Sequence, residues 1–198
     1  LLFLNIACFC SSLQAAEMMD QMDEVKKSLP FKMTKTQDEF LNGMYLTKEE
    51  NYQAGISHFV EILKKPDVTG YSRAMAFYQL AKCQSFDSQI QPEKIISNLD
   101  QALEILNSIL IVQSILKTDA SHVHKLKSYS LFLRGYHKTN LKSQTNAIQD
   151  FEAALSIEEF GGGARRAICL SFMGNYHQKQ NNYQTALDYY IQAVSIEE

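Results

Sequence analysis

Apolar side chains recur every three or four residues through most of the chain after residue 34, with short polar interruptions between them. This spacing places apolar residues along one face of an α-helix and is typical of helices that pack against one another. The 198 residues include 8 glycines and 3 prolines, so residues that break helices are scarce. The pattern therefore predicts an all-α protein of long helices joined by short turns.

Two stretches in the C-terminal half carry the same pattern of small, aromatic and apolar residues at the same separations. The shared positions are Gly135, Ala147, Phe151, Ala154 and Ile157 in one stretch, and Gly174, Ala186, Tyr190, Ala193 and Ile196 in the other. Glycine and alanine allow two helices to approach closely, and an aromatic ring can fill the space between them. Each stretch is therefore predicted to form two helices that cross at the glycine.

This pattern resembles the tetratricopeptide repeat (TPR), a helix–turn–helix unit of about 34 residues. In that family, leucine and glycine mark the first helix, and alanine, an aromatic residue and a second alanine mark the second. The matching residues are Leu131, Gly135, Ala147, Phe151 and Ala154, then Leu170, Gly174, Tyr183, Ala186, Tyr190 and Ala193. The family's tryptophan, and its proline after the second helix, are missing from both copies. The resemblance implies a right-handed solenoid of stacked antiparallel helix pairs.

Two weaker copies precede these stretches. Gly43 and Gly55 repeat the separation between glycine and alanine, whereas the next copy has Ala81 in place of the glycine and an insertion near residues 87–92. We therefore predict a TPR-like domain over residues 35–198 with about four helical hairpins. Their predicted bounds are 35–67, 73–117, 121–159 and 164–198.

Residues 93–117 form an apolar run without a helix breaker. Such a helix would be roughly 37 Å long, which exceeds the usual repeat helix. Its apolar residues form two adjacent stripes, and a helix that is apolar on two sides must bury both. Either both stripes pack inside the stack, or one forms an exposed ridge that binds a partner or allows self-association.

The N-terminal segment 1–16 begins with an apolar run and ends in small and polar residues. It resembles the end of a secretory signal peptide, and a clipped membrane anchor is the alternative because the run is shorter than the roughly 20 residues that span a bilayer. The first interpretation predicts an exported, periplasmic or envelope protein, and a cytoplasmic location is the alternative. Membrane association is expected only through this segment. Residues 17–34 are predicted to be a capping helix or linker.

Composition and motifs argue against several kinds of chemistry. The net charge of -3 and the absence of a basic stripe argue against nucleic acid as a partner. The five histidines have no neighbouring cysteine or carboxylate cluster, and no nucleophile motif occurs, so we expect no metal, no cofactor and no enzyme activity. The run Gly161–Gly163 lacks the residues of a phosphate-binding loop and is interpreted as a flexible linker. Cys83 and Cys169, two hairpins apart, are expected to remain free thiols.

The resemblance also implies where a partner binds, because the fifth and ninth residues of the first helix point into the concave groove of the family. The corresponding residues are Phe40, Met44, Tyr78, Lys82, Phe132, Tyr136, Ser171 and Asn175. Some members bind a C-terminal carboxylate through lysine and asparagine, but here only Asn175 fits and it has no lysine partner. A mainly aromatic groove favours an extended or helical peptide. Alternatively, Phe40 and Phe132 simply pack on adjacent helices.

These observations predict a scaffold that binds a protein or peptide partner in the groove. The alternative is an extracytoplasmic sensory input module of a larger membrane regulator. An apolar span of about 20 residues beyond residue 198 would favour the sensor. A third possibility, a cytoplasmic chaperone for secreted proteins, fits poorly with the apolar N-terminal segment.

Overall fold

A computed structural model of the chain describes residues 35–48, 50–116, 119–139, 141, 147–157 and 160–197. The helices in this part are α1 (Lys35–Lys48), α2 (Tyr52–Leu63), α3 (Gly70–Gln84), α4 (Pro92–Leu116), α5 (Ser121–Thr139), α6 (Ala147–Leu155), α7 (Gly163–Lys179) and α8 (Tyr183–Glu197). No strand occurs among the described residues, and for them the all-α prediction is confirmed. The predicted N-terminal segments 1–16 and 17–34 lie outside the described residues.

Each helix packs against the next one along the chain, from α1 through to α8. The odd-numbered helices also contact one another in order, α1 with α3, α3 with α5, and α5 with α7. They therefore form one continuous layer. Two helices begin before their predicted hairpin ranges, α3 at Gly70 instead of residue 73 and α7 at Gly163 instead of residue 164, and the others lie within them.

A close crossing in three of the helix pairs places a glycine of the first helix against an aromatic ring of the second. These pairs are Gly43 with Phe59, Gly135 with Phe151, and Gly174 with Tyr190. A Cβ added to any of these glycines would lie between 2.5 and 2.8 Å from a ring carbon, which is closer than atoms can pack. The prediction that glycine leaves room where the helices cross is confirmed at Gly135 and Gly174.

The first and last helix pairs share one turn geometry. Glu50 and Asn181 both have the left-handed backbone conformation, with φ of 58° and 62°. The amide after each of them bonds back into the preceding helix, at 3.0 Å to the carbonyl of Leu46 and at 2.9 Å to that of His177. This is the hydrogen bond of a Schellman motif, so the internal repeat extends into the turn.

Arginine side chains connect neighbouring helix pairs. Arg73 of α3 donates to the carbonyl of Leu63 at the end of α2, at 3.2 Å, and Arg166 of α7 donates to that of Leu155 at the end of α6, also at 3.2 Å. A guanidinium at a helix C-terminus satisfies a carbonyl and opposes the negative end of the helix dipole. The two bonds occupy equivalent repeat positions. In both cases an arginine of the first helix of one pair binds the C-terminal end of the second helix of the preceding pair.

Buried apolar residues form two clusters, and α3 contributes to both. The smaller cluster contains Phe59, Ile62, Val68, Ala76, Leu80 and Cys83. The larger one begins with Ala74, Tyr78 and Ala81 of α3 and continues through α4, α5, α6, α7 and α8. Opposite faces of α3 therefore belong to different parts of the core, and α3 is the element that joins them.

The long helix α4 is buried in its first half and exposed near its end. Its buried residues are Ile95, Leu99, Ala102, Leu103 and Leu106, whereas Ile111, Val112, Ile115 and Leu116 are each more than half exposed. By length and composition alone this helix could cross a membrane, but its first half belongs to the protein core. The exposed end supplies apolar surface for self-association, which stays a prediction.

Candidate functional site

The predicted groove residues of α1 lie beside the smaller core cluster. Phe40 and Met44 are half-buried and pack against it, and the ring centroid of Phe40 is 6.1 Å from that of Phe59. Phe40 therefore contacts the second helix of its own pair, as expected if it packs on an adjacent helix.

Aromatic residues of α5 and α7 meet in one group. Phe132 packs among three other phenylalanine rings. Its ring centroid lies 6.0 Å from that of Phe151, 5.9 Å from that of Phe160 and 6.1 Å from that of Phe172. Tyr136 lies edge-on to Phe172, with 5.1 Å between centroids. The structure thus brings Phe132 and Tyr136 together through Phe172, which the groove prediction did not include. Half-buried rings of this kind both stabilise the stack and present an aromatic surface.

The predicted groove residues of α7 already have partners within their own helix pair. The hydroxyl of Ser171 donates to the carbonyl of Ala167 at 2.9 Å, and the Asn175 side-chain oxygen accepts from the Tyr190 hydroxyl at 2.8 Å. Both side chains are half-buried. These internal bonds leave them less hydrogen-bonding capacity for a partner than the resemblance implies.

The predicted groove residues of α3 are buried. Tyr78 is 3% exposed and Lys82 is 8% exposed. Within the described part of the chain, Lys82 Nζ forms no hydrogen bond and no salt bridge. Burial lowers the pKa of Lys82, and the positive charge of Arg165 lowers it further, while Cys83 has the opposite effect.

Arg165 at the start of α7 completes this group. Its guanidinium lies 4.4 Å from the ring centroid of Tyr129, and Nη1 donates to the Tyr129 hydroxyl. Burial raises the pKa of Tyr78, and the positive charge of Arg165 partly offsets this rise. We name Tyr78, Lys82, Tyr129 and Arg165 the basic cluster. Its residues come from α3, α5 and α7 of the odd-numbered layer.

The glycine run before α7 has a defined role at its first residue. Gly161 has φ of 113°, a conformation that favours glycine, and a Cβ there would lie 2.6 Å from Nη1 of Arg165. Gly163 already begins α7. The run is therefore not a linker throughout, because Gly163 belongs to α7. At Gly161 the missing Cβ makes room for the Arg165 side chain.

Sequence reasoning missed Tyr129, Arg165 and Phe172. The available signal was the adjacent pair Arg165 and Arg166 at the start of a helix, directly after the glycines. One arginine of this pair caps α6 and the other enters the basic cluster.

A serine–histidine contact also links α3 to α5. Ser85 Oγ lies 2.7 Å from His137 Nε2 and 2.9 Å from the Ala81 carbonyl. The carbonyl can only accept, so the hydroxyl donates to it and accepts from the imidazole N–H. Burial lowers the pKa of His137 to about 4. The imidazole is thus a neutral hydrogen-bond donor to Ser85 and not a base for it. We interpret the contact as a structural link between the two helices.

The two cysteines and the histidines of the described residues form no metal-binding group. Cys83 and Cys169 are buried free thiols, and burial raises the pKa of Cys169 to about 12.

A comparison of the sequence with protein-family models found no match, and a comparison with curated proteins found none either.

Proposed function

We propose that this protein is a scaffold without catalytic activity that binds a segment of a partner protein along its odd-numbered helices, which would form the concave side of a right-handed TPR-like solenoid. The observation that carries the proposal is the ordered contact of α1 with α3, α3 with α5, and α5 with α7. In stacked helix pairs, a layer of this kind provides an extended concave binding surface.

The side chains of this layer suit peptide binding. Tyr136 and Phe172 provide aromatic surface, and Arg165 provides a cation over the Tyr129 ring. Tyrosine and arginine are enriched among the residues that dominate binding energy in protein interfaces. We therefore propose that stacking and apolar contacts with these rings hold the partner.

Selection of random peptides displayed on phage, with the purified chain as target, tests this proposal. Tyr136→Ala is the preferred groove variant because Phe132 contacts three other rings, so its truncation would endanger the fold. Leu187→Ser on α8 is the matched control, since Leu187 is half exposed and lies outside the odd-numbered layer. Selected peptides should bind Tyr136→Ala at least about tenfold more weakly, a loss of about 1.4 kcal/mol, and Leu187→Ser unchanged.

Two results would overturn the proposal. One is a selection that yields no peptide with a Kd below about 100 µM. The other is a set of peptides whose affinity falls with Leu187→Ser and not with Tyr136→Ala, since binding would then lie away from the odd-numbered layer.

A further inference from the structure

We infer that the outer face of α8 is a docking site for one helix of a partner protein, and that this helix carries an arginine, a small residue three positions later and a large apolar residue seven positions later. Three hydrophobic residues define this face, which we name the α8 face: Tyr183, Leu187 and Val194. They are 63%, 50% and 61% exposed. The α8 face lies outside the odd-numbered layer, so it is a second site, separate from the groove proposed above.

The same face is covered in the first helix pair. In the register set by the crossing glycines, the equivalent residues of α2 are Tyr52, Ile56 and Leu63. The Tyr52 ring stacks on that of Phe86, just beyond the end of α3, with 4.1 Å between centroids and 9° between planes. Ile56 and Leu63 are half-buried against the smaller core cluster, to which α3 contributes. The first helix of the next pair therefore covers in α2 the positions that α8 leaves open.

The third helix pair repeats this arrangement. Ile148 and Leu155 of α6 are the equivalents of Leu187 and Val194, and both are half-buried against the larger core cluster. The Cys169 thiol of α7 donates to an α6 carbonyl at 3.7 Å, so α7 lies directly against α6. The α8 face is thus the surface on which this chain stacks its own next helix.

The two helices that cover these faces share a pattern of side chains. Each has an arginine, then a buried small residue and a buried large apolar residue at the same separations. The shared positions are Arg73, Ala76 and Leu80 in α3, and Arg166, Cys169 and Met173 in α7. The arginines donate to the carbonyls of Leu63 and Leu155, whose equivalent, Val194, lies in the last turn of α8. A helix that docks on α8 in the same way should therefore carry the same pattern, with its arginine at the negative end of the α8 dipole.

A second copy of the chain does not supply such a helix. Its α3, α5 and α7 are already packed on the helices that precede them. In α1, the exposed Asn42 occupies the position of Leu80 in α3 and Met173 in α7. In α8 itself there is neither arginine nor lysine. We therefore assign the docked helix to a different protein.

A synthetic peptide of residues 70–86 provides a helix with the required pattern, because it contains Arg73, Ala76, Leu80 and the ring of Phe86. The peptide is blocked at both ends, labelled with fluorescein and titrated with the full chain under reducing conditions, and binding is followed by fluorescence anisotropy. A free peptide of this length loses conformational entropy when it becomes helical, so the expected Kd is about 100 µM or lower and not nanomolar. A weaker affinity than this would overturn the inference.

Two variants with the same substitution on the same helix locate the binding. Leu187→Glu should weaken binding of the peptide at least about tenfold, because the equivalent residues are covered by the next helix. Ile191→Glu is the matched control: Ile191 is 58% exposed, but its equivalents Val60 and Glu152 stay exposed beside α3 and α7. It should change the Kd by less than about threefold. Equal losses in the two variants would show adhesion to any apolar surface and would overturn the inference.

Substitutions in the peptide test the pattern assigned to the docked helix. Leu80→Glu in the peptide should weaken binding at least about tenfold, and Arg73→Gln about three- to tenfold. Tyr78→Glu is the control, since Tyr78 belongs to the larger core cluster and lies on the opposite face of α3. A peptide whose affinity falls with Tyr78→Glu and not with Leu80→Glu would contradict the proposed docking.

Sedimentation velocity of the chain alone distinguishes a partner helix from a second copy. The α8 face should not make the chain dimerise, and a dimer that Leu187→Glu dissociates would assign this face to a second copy and overturn the inference. The proposed function fails separately, because short random peptides seldom form a helix of this length. Peptides that bind the groove lose affinity with Tyr136→Ala, whereas the peptide of residues 70–86 loses it with Leu187→Glu.

Discussion

The glycine in the first helix of a pair decides how closely the two helices cross. An added Cβ at Gly174 would lie 2.5 Å from Cε1 of Tyr190, far inside van der Waals contact. Helix propensity alone would make alanine more favourable than glycine there by about 1 kcal/mol. Because the overlap outweighs that preference, we expect Gly174→Ala to lower the free energy of unfolding by about 1–3 kcal/mol in urea titrations.

Removal of the ring is the control for this prediction. In a Tyr190→Leu background the obstacle is gone, so Gly174→Ala should have little effect or become stabilising. A Gly174→Ala variant that equals the parent in stability would show that the two helices do not cross as closely as described.

His137 predicts a dependence of stability on pH. Its pKa is about 4 in the folded protein because it is buried, against an ordinary value of 6.5. Between these values the unfolded chain binds a proton that the folded protein does not, so the free energy of unfolding falls as the pH falls through this window. The contribution of His137 should amount to about 2–3 kcal/mol between pH 7 and 4.5, and His137→Gln should lose it.

The measurement is urea unfolding of both proteins at the two pH values. His124→Gln is the comparison variant, since His124 lies on the same helix, is only half-buried and should leave the dependence intact. Identical pH profiles for the parent and His137→Gln would show that the imidazole is not held in its neutral form.

Which contacts could be predicted from the sequence depends on whether both residues lie in one repeat. The roles of Gly135 and Gly174 were predictable because the helical period fixes which residue of the same pair faces them. The stacking of Arg165 on Tyr129 was not, since it depends on the angle between successive pairs, which residue spacing does not determine. The role of Gly161 was not predictable for the same reason, because the Arg165 side chain for which it makes room is stacked on Tyr129 of another helix pair.

At the scale of single elements, the turn after α1 has a residue poorly suited to its conformation. Glu50 has φ of 58°, where a side chain with a Cβ is disfavoured by about 1 kcal/mol and glycine is not. Glu50→Gly should therefore raise the free energy of unfolding by up to about 1 kcal/mol in urea titrations. Asn181→Gly at the equivalent turn should have a smaller effect because asparagine tolerates this conformation. A loss of stability in Glu50→Gly would contradict the shared turn geometry.

The helix α4 shows where periodicity stops being informative. The unbroken run predicted one long helix near residues 93–117, and α4 spans Pro92–Leu116. Periodicity also indicated that two faces were apolar, but it could not tell which turns had neighbours. Burial ends after Leu106, and the apolar residues from Ile111 onward remain exposed. Coverage by neighbouring helices is a property of the whole stack, which one helix does not encode.

The two clusters of buried apolar residues divide the whole molecule into two regions. Phe59 in the smaller cluster and Phe151 in the larger one are both fully buried and occupy equivalent repeat positions. Truncation of either to alanine should cost about 3–5 kcal/mol. In a stack whose repeats contact mainly their neighbours, this loss should open the nearest helices first.

Hydrogen exchange followed by mass spectrometry distinguishes local from global opening. Phe59→Ala should increase exchange in α1, α2 and α3 and leave α7 and α8 nearly unchanged, because α3 is the element shared by the two clusters. Phe151→Ala should increase exchange in α5, α6 and α7 instead. If both variants raise exchange equally in every helix, the two clusters unfold as one cooperative unit, and α3 then transmits the loss across the stack instead of confining it.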